Sequence, residues 1–425
     1  ISSAARVPDH GRAVALRWHD SPNVALAEAA LAALPWTDRP ADALPPLLAH
    51  TGDDRARVAV YALRRAARFV SPSGLGEVIT AALAGPLKVT SRKEIARLAA
   101  DFSVRRAADI LYAEWSRPDA HRDVRAALIG VARLRLEQSS AWPILTEAAE
   151  SGEYAAVVAL GAAYPMLLPD HARTPYAALI LAACRSSDEK AAEYAWARVP
   201  SWAPWAAELD ATILAGLTDL SPTSPARYAI AALVTLLRSG AGYATADSAL
   251  RRLIDLDRSD QDGEPQRDRV PLRRTQSLLS AIASAVRTDE AGFDRSALAD
   301  LARYATSHDP LLADAVELFV EVTGEAEVAE ACDRLADRPV AAAAVAGLVR
   351  AAGVRRDWTR EVAPRLAEAL RRRGDLAGGL TATALCRLGA SVGFAEPYRE
   401  LIRGLRTHPV ADVRDAAYAI DLSGR

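Results

Sequence analysis

Asparagine occurs once, at Asn23, and lysine three times, at Lys88, Lys93 and Lys190, so nearly every basic residue is arginine. With alanine everywhere, this bias is the stamp of a GC-rich, bacterial genome, and arginine richness loses its weight as evidence for phosphate binding. Cysteine is scarce: Cys184, Cys332 and Cys386 lie far apart in Ala-rich helical patterns. They offer neither an even disulfide set nor metal-ligand spacing, so no metal or cofactor is expected and a reducing, cytoplasmic setting is. No long apolar run is free of charges and helix breakers, which excludes a membrane-spanning helix. Strand signals are nearly missing too: Val, Ile, Thr and aromatics do not alternate with polar residues, and Asp262-Gly263 lies in a hydrophilic stretch rather than between strands. Neither charge sign is in surplus, at a formal net charge of −2, and a protein that coats nucleic acid or membranes needs one. The chain opens on Ile1, so a preceding segment and a larger parent protein are expected.

What is there is helical periodicity. The 425 residues are 51% hydrophobic and 25% charged, enough for two or three ordinary domains or one elongated array. Residues 118–136, PDAHRDVRAALIGVARLRL, place Val124, Ala127, Leu128 and Val131 on one helical stripe, with Arg122, Asp123, Arg125 and Arg133 elsewhere on the wheel. Residues 408–420, HPVADVRDAAYAI, repeat the phase through Val413, Ala416, Ala417 and Ile420. Each copy carries Asp-Val-Arg at its start. The same phase is found from anchors at Leu26, Ala56, Ile95, Val124, Ala155, Ala192, Ala226, Leu278, Leu312, Ala341, Ala377 and Val413. These are twelve units at a mean spacing of about 35 residues, a repeat-array period. Helix starts are signalled by Ser21-Pro22-Asn23, residues 51–54, Pro118-Asp119, residues 186–188, residues 221–225 and His308-Asp309-Pro310. Helix ends are signalled by Gly74, Gly240, Gly324, Gly353 and Gly389.

The Asp-Val-Arg helix resembles the second helix of a HEAT repeat. The resemblance implies an all-α fold, an α-solenoid or superhelix of about twelve helical hairpins, each covering the apolar face of its neighbour. It also implies a hydrogen-bonded ladder between successive repeats, which Asp123/Arg125 and Asp412/Arg414 match fully and Arg57 and Arg227 in part. Residues 255–274 have almost no apolar content and read as a polar, mobile loop between an N-terminal array, 1–254, and a continuous C-terminal one, 275–425.

Chemistry-bearing motifs are few. Gly389-Ala390-Ser391-Val392-Gly393 spells a nucleophile elbow but follows a helical run, where a helix-ending glycine turn is the simpler reading. The seven histidines lie in or beside turns without metal-ligand pairing, and read as turn and capping residues. Glu317, Glu321, Glu325, Glu327, Glu330 and Asp333 form an acidic stretch expected to be a solvated face, although paired acids can move protons. Arg350, Arg355, Arg356, Arg360, Arg365 and Arg371-Arg372-Arg373 form a basic one.

Trp196, Trp202 and Trp205, beside Tyr194, crowd a proline-broken connection. Tryptophan is a favoured anchor at interfaces, so these three are the candidate partner-binding residues. The leading expectation is a non-catalytic scaffold or recognition segment, binding a protein partner on its concave face as part of a larger signalling or defence protein. Two enzymatic alternatives follow from the resemblance: HEAT-like DNA glycosylases, which hold duplex DNA in a basic groove with tryptophans, and HEAT-like bilin lyases. Neutral net charge weighs against nucleic acid.

Overall fold

Short polar side chains and prolines begin the helices at the expected turns. Asn23 Oδ1 accepts the Leu26 N–H at 3.2 Å, Asp188 Oδ1 accepts those of Lys190 and Ala191 at 2.9 and 3.1 Å, and Ser224 Oγ accepts that of Ala226 at 3.3 Å. His121 Nδ1, rather than Asp119, caps the Asp-Val-Arg helix through the Asp123 N–H. Gly74 does not end a helix as expected: Ser71 and Pro72 start one just before it, which leaves the glycine in a first turn. The computed structural model describes residues 8–102, 107–259, 269–288, 292–322, 336–337 and 358–422.

The chain divides into two compact units, Ile1–Ala207 and Glu208–Arg425. Within the first, helices alternate between two layers. The first layer holds α1 (Pro8–Trp18), α3 (Leu44–Ala49), α5 (Pro72–Ala84), α7 (Ala107–Trp115), α9 (Ala141–Ser151) and α11 (Asp170–Ala183). The second holds α2 (Val24–Ala33), α4 (Ala56–Ala66), α6 (Val89–Asp101), α8 (Arg122–Ala132), α10 (Tyr154–Gly161) and α12 (Glu189–Trp196), and a short α13 (Val199–Trp202) follows. Each second-layer helix packs on its hairpin mate and on the second-layer helices before and after it.

The second unit repeats the plan. α14 (Leu209–Thr218), α16 (Tyr243–Ser259), α18 (Arg295–Ala305), α20 (Ala363–Arg372) and α22 (Tyr398–Leu405) form one layer. Their mates are α15 (Ala226–Arg238), α17 (Val270–Thr288), α19 (Leu312–Val322), α21 (Leu376–Cys386) and α23 (Ala411–Tyr418). That makes eleven hairpins among the described residues. Every predicted anchor but one falls on a second helix; Ala341 lies outside the described residues, as do Gly324, Gly353 and Cys332. No strand occurs among the described residues.

The buried stripe of α8 is the predicted one, with Val124, Ala127, Leu128 and Val131 all buried. In α23, Val413 and Ala417 are buried and Ala416 is half-buried, and Ile420, just past the helix end, is buried as well. At Ala155 and Ala377 the phase is off by a residue: both are exposed, and the stripe starts at Ala156 and Gly378. A chain this rich in alanine satisfies an apolar template in more than one register. Close approach of successive second-layer helices is enforced by glycine. A Cβ on Gly161 would lie 2.7 Å from the Tyr194 ring of the next repeat, and one on Gly379 would lie 2.6 Å from Val413.

The polar stretch 255–274 is helical at both ends, since α16 runs to Ser259 and α17 begins at Val270; residues 260–268 lie outside those described. Its polarity is partly internal. Asp257 is 1% exposed, 2.7 Å from His308 Nε2 and 2.9 Å from Arg269 Nε, so a composition that reads as solvated supplies a buried ion pair.

Candidate interaction surface

Polar contacts between repeats occur one period apart in sequence. Arg55 Nη2 donates to the Ser21 carbonyl at 2.7 Å, Lys88 Nζ to Asp54 at 2.9 Å, Trp115 Nε1 to Glu147 at 2.6 Å, and Ser186 Oγ to the Gly152 carbonyl at 3.0 Å. In the second unit, Thr245 donates to Asp210 at 2.7 Å. The residues singled out for a ladder make the following contacts. Arg125 lies 5.5 Å from the Trp115 ring of its own hairpin, and Asp123 is 3.9 Å from Arg122. Arg414 donates to the carbonyls of His408 and Pro409 at 2.8 and 2.9 Å, Asp412 and Arg57 are exposed, and Arg227 lies over Tyr228.

The three tryptophans are positioned by the broken connection after α12. Trp196 is 7% exposed and Trp202 1%; Trp202 stacks on Tyr176 at 5.1 Å, and its indole N–H has no acceptor. Tyr176 in turn donates to the Leu160 carbonyl at 2.7 Å. Trp205 is half-buried, with the Arg173 guanidinium 5.5 Å from its ring. Trp196 and Trp202 therefore belong to the core, and Trp205 is the member that shows a face to solvent.

Trp205 also belongs to a larger set. Helices α2, α4 and α8 tighten into a 3₁₀ turn at their C-terminal ends and a separate 3₁₀ turn follows α10; these turns carry Trp36, Phe69, Leu134 and Leu167, which are 59%, 61%, 55% and 79% exposed. Half-buried Phe102 ends α6 in the same place, and Trp205 ends the turn after α13. Trp36, Phe69, Phe102, Leu134, Leu167 and Trp205 are 33, 33, 32, 33 and 38 residues apart, one large apolar side chain per repeat at the end of the stacked second-layer helices. Arginines flank it. Arg65 lies 4.7 Å from the Trp36 ring, Arg68 precedes Phe69, and Arg133 and Arg135 bracket Leu134. Arg173 donates to the Pro165 carbonyl beneath Leu167 at 3.0 Å and reaches Trp205.

Charge separates by layer from α4 to α9, whereas α2 and α12 are net acidic and α1 carries Arg12 and Arg17. Helices α4, α6 and α8 with their 3₁₀ ends carry Arg57, Arg64, Arg65, Arg68, Arg92, Lys93, Arg97, Arg122, Arg125, Arg133 and Arg135 against Glu94, Asp101 and Asp123. First-layer α5, α7 and α9 carry Glu77, Asp109, Glu114, Glu147 and Glu150 and no basic residue. Between α5 and α7 lies a groove of about 1120 Å³ lined by Glu77, Asp109, Glu114 and Arg117 among small residues. A second groove, of about 850 Å³, lies between α20 and α22. There Arg371 and Arg372 hold Glu368 below the usual carboxylate range, and Arg403 bonds Glu396 at 3.0 Å.

Other groups with chemical potential are engaged structurally. Glu317 and Glu321 do not form a solvated face: both clamp Arg287 of the preceding repeat, at 2.8 and 2.9 Å, and Glu321 is 6% exposed. Glu325, Glu327, Glu330, Asp333, Arg350, Arg355 and Arg356 lie outside the described residues. Burial pushes the thiols of Cys184 and Cys386 up to about 12, which leaves them protonated and inert. Ser391 Oγ donates to the Leu388 carbonyl in a 3₁₀ turn, and Gly389 is required because a Cβ there would meet Tyr398 at 2.8 Å. Among the described residues no group of three His, Cys, Asp or Glu could hold a metal ion, and no helix is long and apolar enough to cross a membrane.

No protein-family pattern and no curated protein matches the sequence. Solved structures do. Kap121p, in its crystal structure bound to Nup53p, superposes with a TM-score of 0.51 at 11% identity, over 96% of this chain and 46% of Kap121p. A mutant form of Kap121p gives 0.48 at 12% identity, over 98% of this chain and 48% of that one. This chain thus spans about half the length of Kap121p, and the likeness is one of fold: a HEAT-like α-solenoid.

Proposed function

We propose that the chain is a non-catalytic recognition scaffold that holds a protein partner along the side of its second-layer helices, the concave side in arrays of this kind. The observation that carries this reading is the row of large apolar side chains, four of them more than half exposed. Single exposed leucines are ordinary, but a row of large apolar side chains, one to a repeat, is typical of an interaction surface. Trp205 contributes to that surface directly, and Trp196 and Trp202 hold it from beneath. The scaffold fits a role as the recognition part of a longer cytoplasmic signalling or defence protein. A photo-crosslinking residue placed at Tyr61, which is 52% exposed on α4, should trap a partner in the native host; the same residue at Tyr112 on first-layer α7 should not. Equal trapping from both layers would sink the reading.

A second reading, a HEAT-like DNA-binding protein or glycosylase, is favoured by the basic residues of α4, α6 and α8. Phosphate contacts impose a steep loss of affinity with salt. Duplex binding that weakens steeply with salt and is lost on replacing Arg57 and Arg64 would move the conclusion there.

A further inference from the structure

The row after the second-layer helices has a spacing as well as a composition, and together they define what can lie on it. Adjacent packed helices are about 8–10 Å apart, so six side chains at one per repeat span roughly 40–50 Å. An extended strand cannot follow that row with every third residue, because its side chains alternate between faces. An α-helix can: seven residues rise about 10.5 Å and return to nearly the same face. The positions between its anchors then fall beside the exposed Arg65 near Trp36 and Arg68 near Phe69, whereas Arg135, donating to the Ala100 carbonyl, and Arg173, donating to the Pro165 carbonyl, are half-buried.

Building on the scaffold reading above, we propose that this row is a docking track for an acidic amphipathic helix of a protein partner. Its apolar side chains recur at every seventh residue, and a supercoil that takes up about 20° per seven residues lets them meet Trp36, Phe69, Phe102, Leu134, Leu167 and Trp205 in turn. Its carboxylates face the exposed Arg65 and Arg68 guanidinium groups. A lipid surface would need exposed apolar and basic residues but not their regular spacing, and a nucleic acid would need the arginines but not Leu134 or Leu167.

The test uses the full chain and two synthetic helices of identical, glutamate-rich composition. One has leucine at every seventh position; in the other the leucines stand at every fifth, which scatters them around the helix. By fluorescence anisotropy the first should bind at least about tenfold more tightly, and Phe69→Ser with Leu167→Ser should cost about tenfold per site. Both side chains are largely exposed, so the variant should keep the parent's helical signal and melting temperature. Equal binding of the two helices, or a variant that binds like the parent, overturns the proposal. So does preference for anionic phospholipid vesicles or duplex DNA over the first helix, lost in the same variant. If a partner is trapped from Tyr61 while the first helix fails to bind, the scaffold reading stands and the docking track falls.

Discussion

Leu128→Ala tests the packing on which the array depends. Leu128 has no exposed surface and sits in α8, which packs against α6 on one side and α10 on the other. Truncating a sealed leucine costs about 2–5 kcal/mol, and walls held by helices on both sides leave little scope for collapse, so the upper half of that range is expected. Leu134, in the turn that ends the same helix, is 55% exposed, and its truncation should stay within about 0.5 kcal/mol. Because an array need not unfold in one step, the assay is hydrogen exchange resolved to single helices rather than one global melt. Where reclosing outpaces exchange, 2–5 kcal/mol accelerates the amides of α6, α8 and α10 by roughly thirty- to several-thousand-fold. Helices α21 and α23 should exchange as before. Leu128→Asp goes further, since it adds a buried, unpaired charge. A Leu128→Ala protein that exchanges like its parent, or a Leu134→Ala protein that matches it, would refute the assignment of inner and outer faces.

The other predictions concern buried polar groups. Arg92 Nη1 donates to both oxygens of Glu114 at 2.6 and 2.5 Å and to the Leu83 carbonyl at 3.2 Å, with Glu114 only 3% exposed. Glu114→Gln strands the guanidinium and should cost about 3–5 kcal/mol by denaturant titration, while Arg92→Met with Glu114→Leu recovers most of it; two equally weak proteins would contradict this. Burial, then His50, lowers the pKa of His19, and burial, then Arg371, lowers that of His408. For Asp53 burial pulls upward, yet the hydrogen bonds from His50 and the Arg55 N–H, with their positive charges, together outweigh it and the net shift is downward. All three bind fewer protons folded than unfolded, so their stabilisation is complete above the ordinary histidine value of 6.5 and drains as pH falls through it, the carboxylate's share leaving last. Melting temperature should therefore drop from about pH 7.5 to about pH 5.5, and His408→Gln, which can still accept the Val410 N–H, should reduce the drop.

The fold was legible because a stacked hairpin must place one apolar stripe per period, and the stripe of Val124, Ala127, Leu128 and Val131 is strong enough to set the register for its weaker relatives. Where alanine supplies the stripe, at Ala155 and Ala377, register slipped by one residue, since a methyl group marks a face poorly. The surface was harder. Trp205 stands close in sequence to Trp196 and Trp202, which are core, Trp202 stacked on Tyr176. The side chains that match it at helix ends are Leu167, Leu134, Phe102, Phe69 and Trp36, about one period apart. Aligning the anchors at helix starts hides them, because the helices differ in length; aligning the ends brings them into line. The stretch 255–274 misleads for the opposite reason: composition reports which residues are polar, not that Asp257 is paired inside.

Net charge misleads in the same way. A value of −2 sums over acids and bases that the fold places on different layers, and a partner meets only one of them. Packed layers stand about 10 Å apart, whereas charges are screened over about 8 Å at physiological ionic strength. A molecule lying on α4, α6 and α8 therefore feels Arg57 and Lys93 close by, beside the Arg64–Asp101 and Arg97–Glu94 ion pairs, with Glu77, Asp109 and Glu147 largely screened beyond them. A near-neutral sum removes the long-range pull on anions but leaves the short-range one intact. Such a surface selects by contact rather than by attraction from afar; under the docking proposal, the apolar row decides which anionic partner stays.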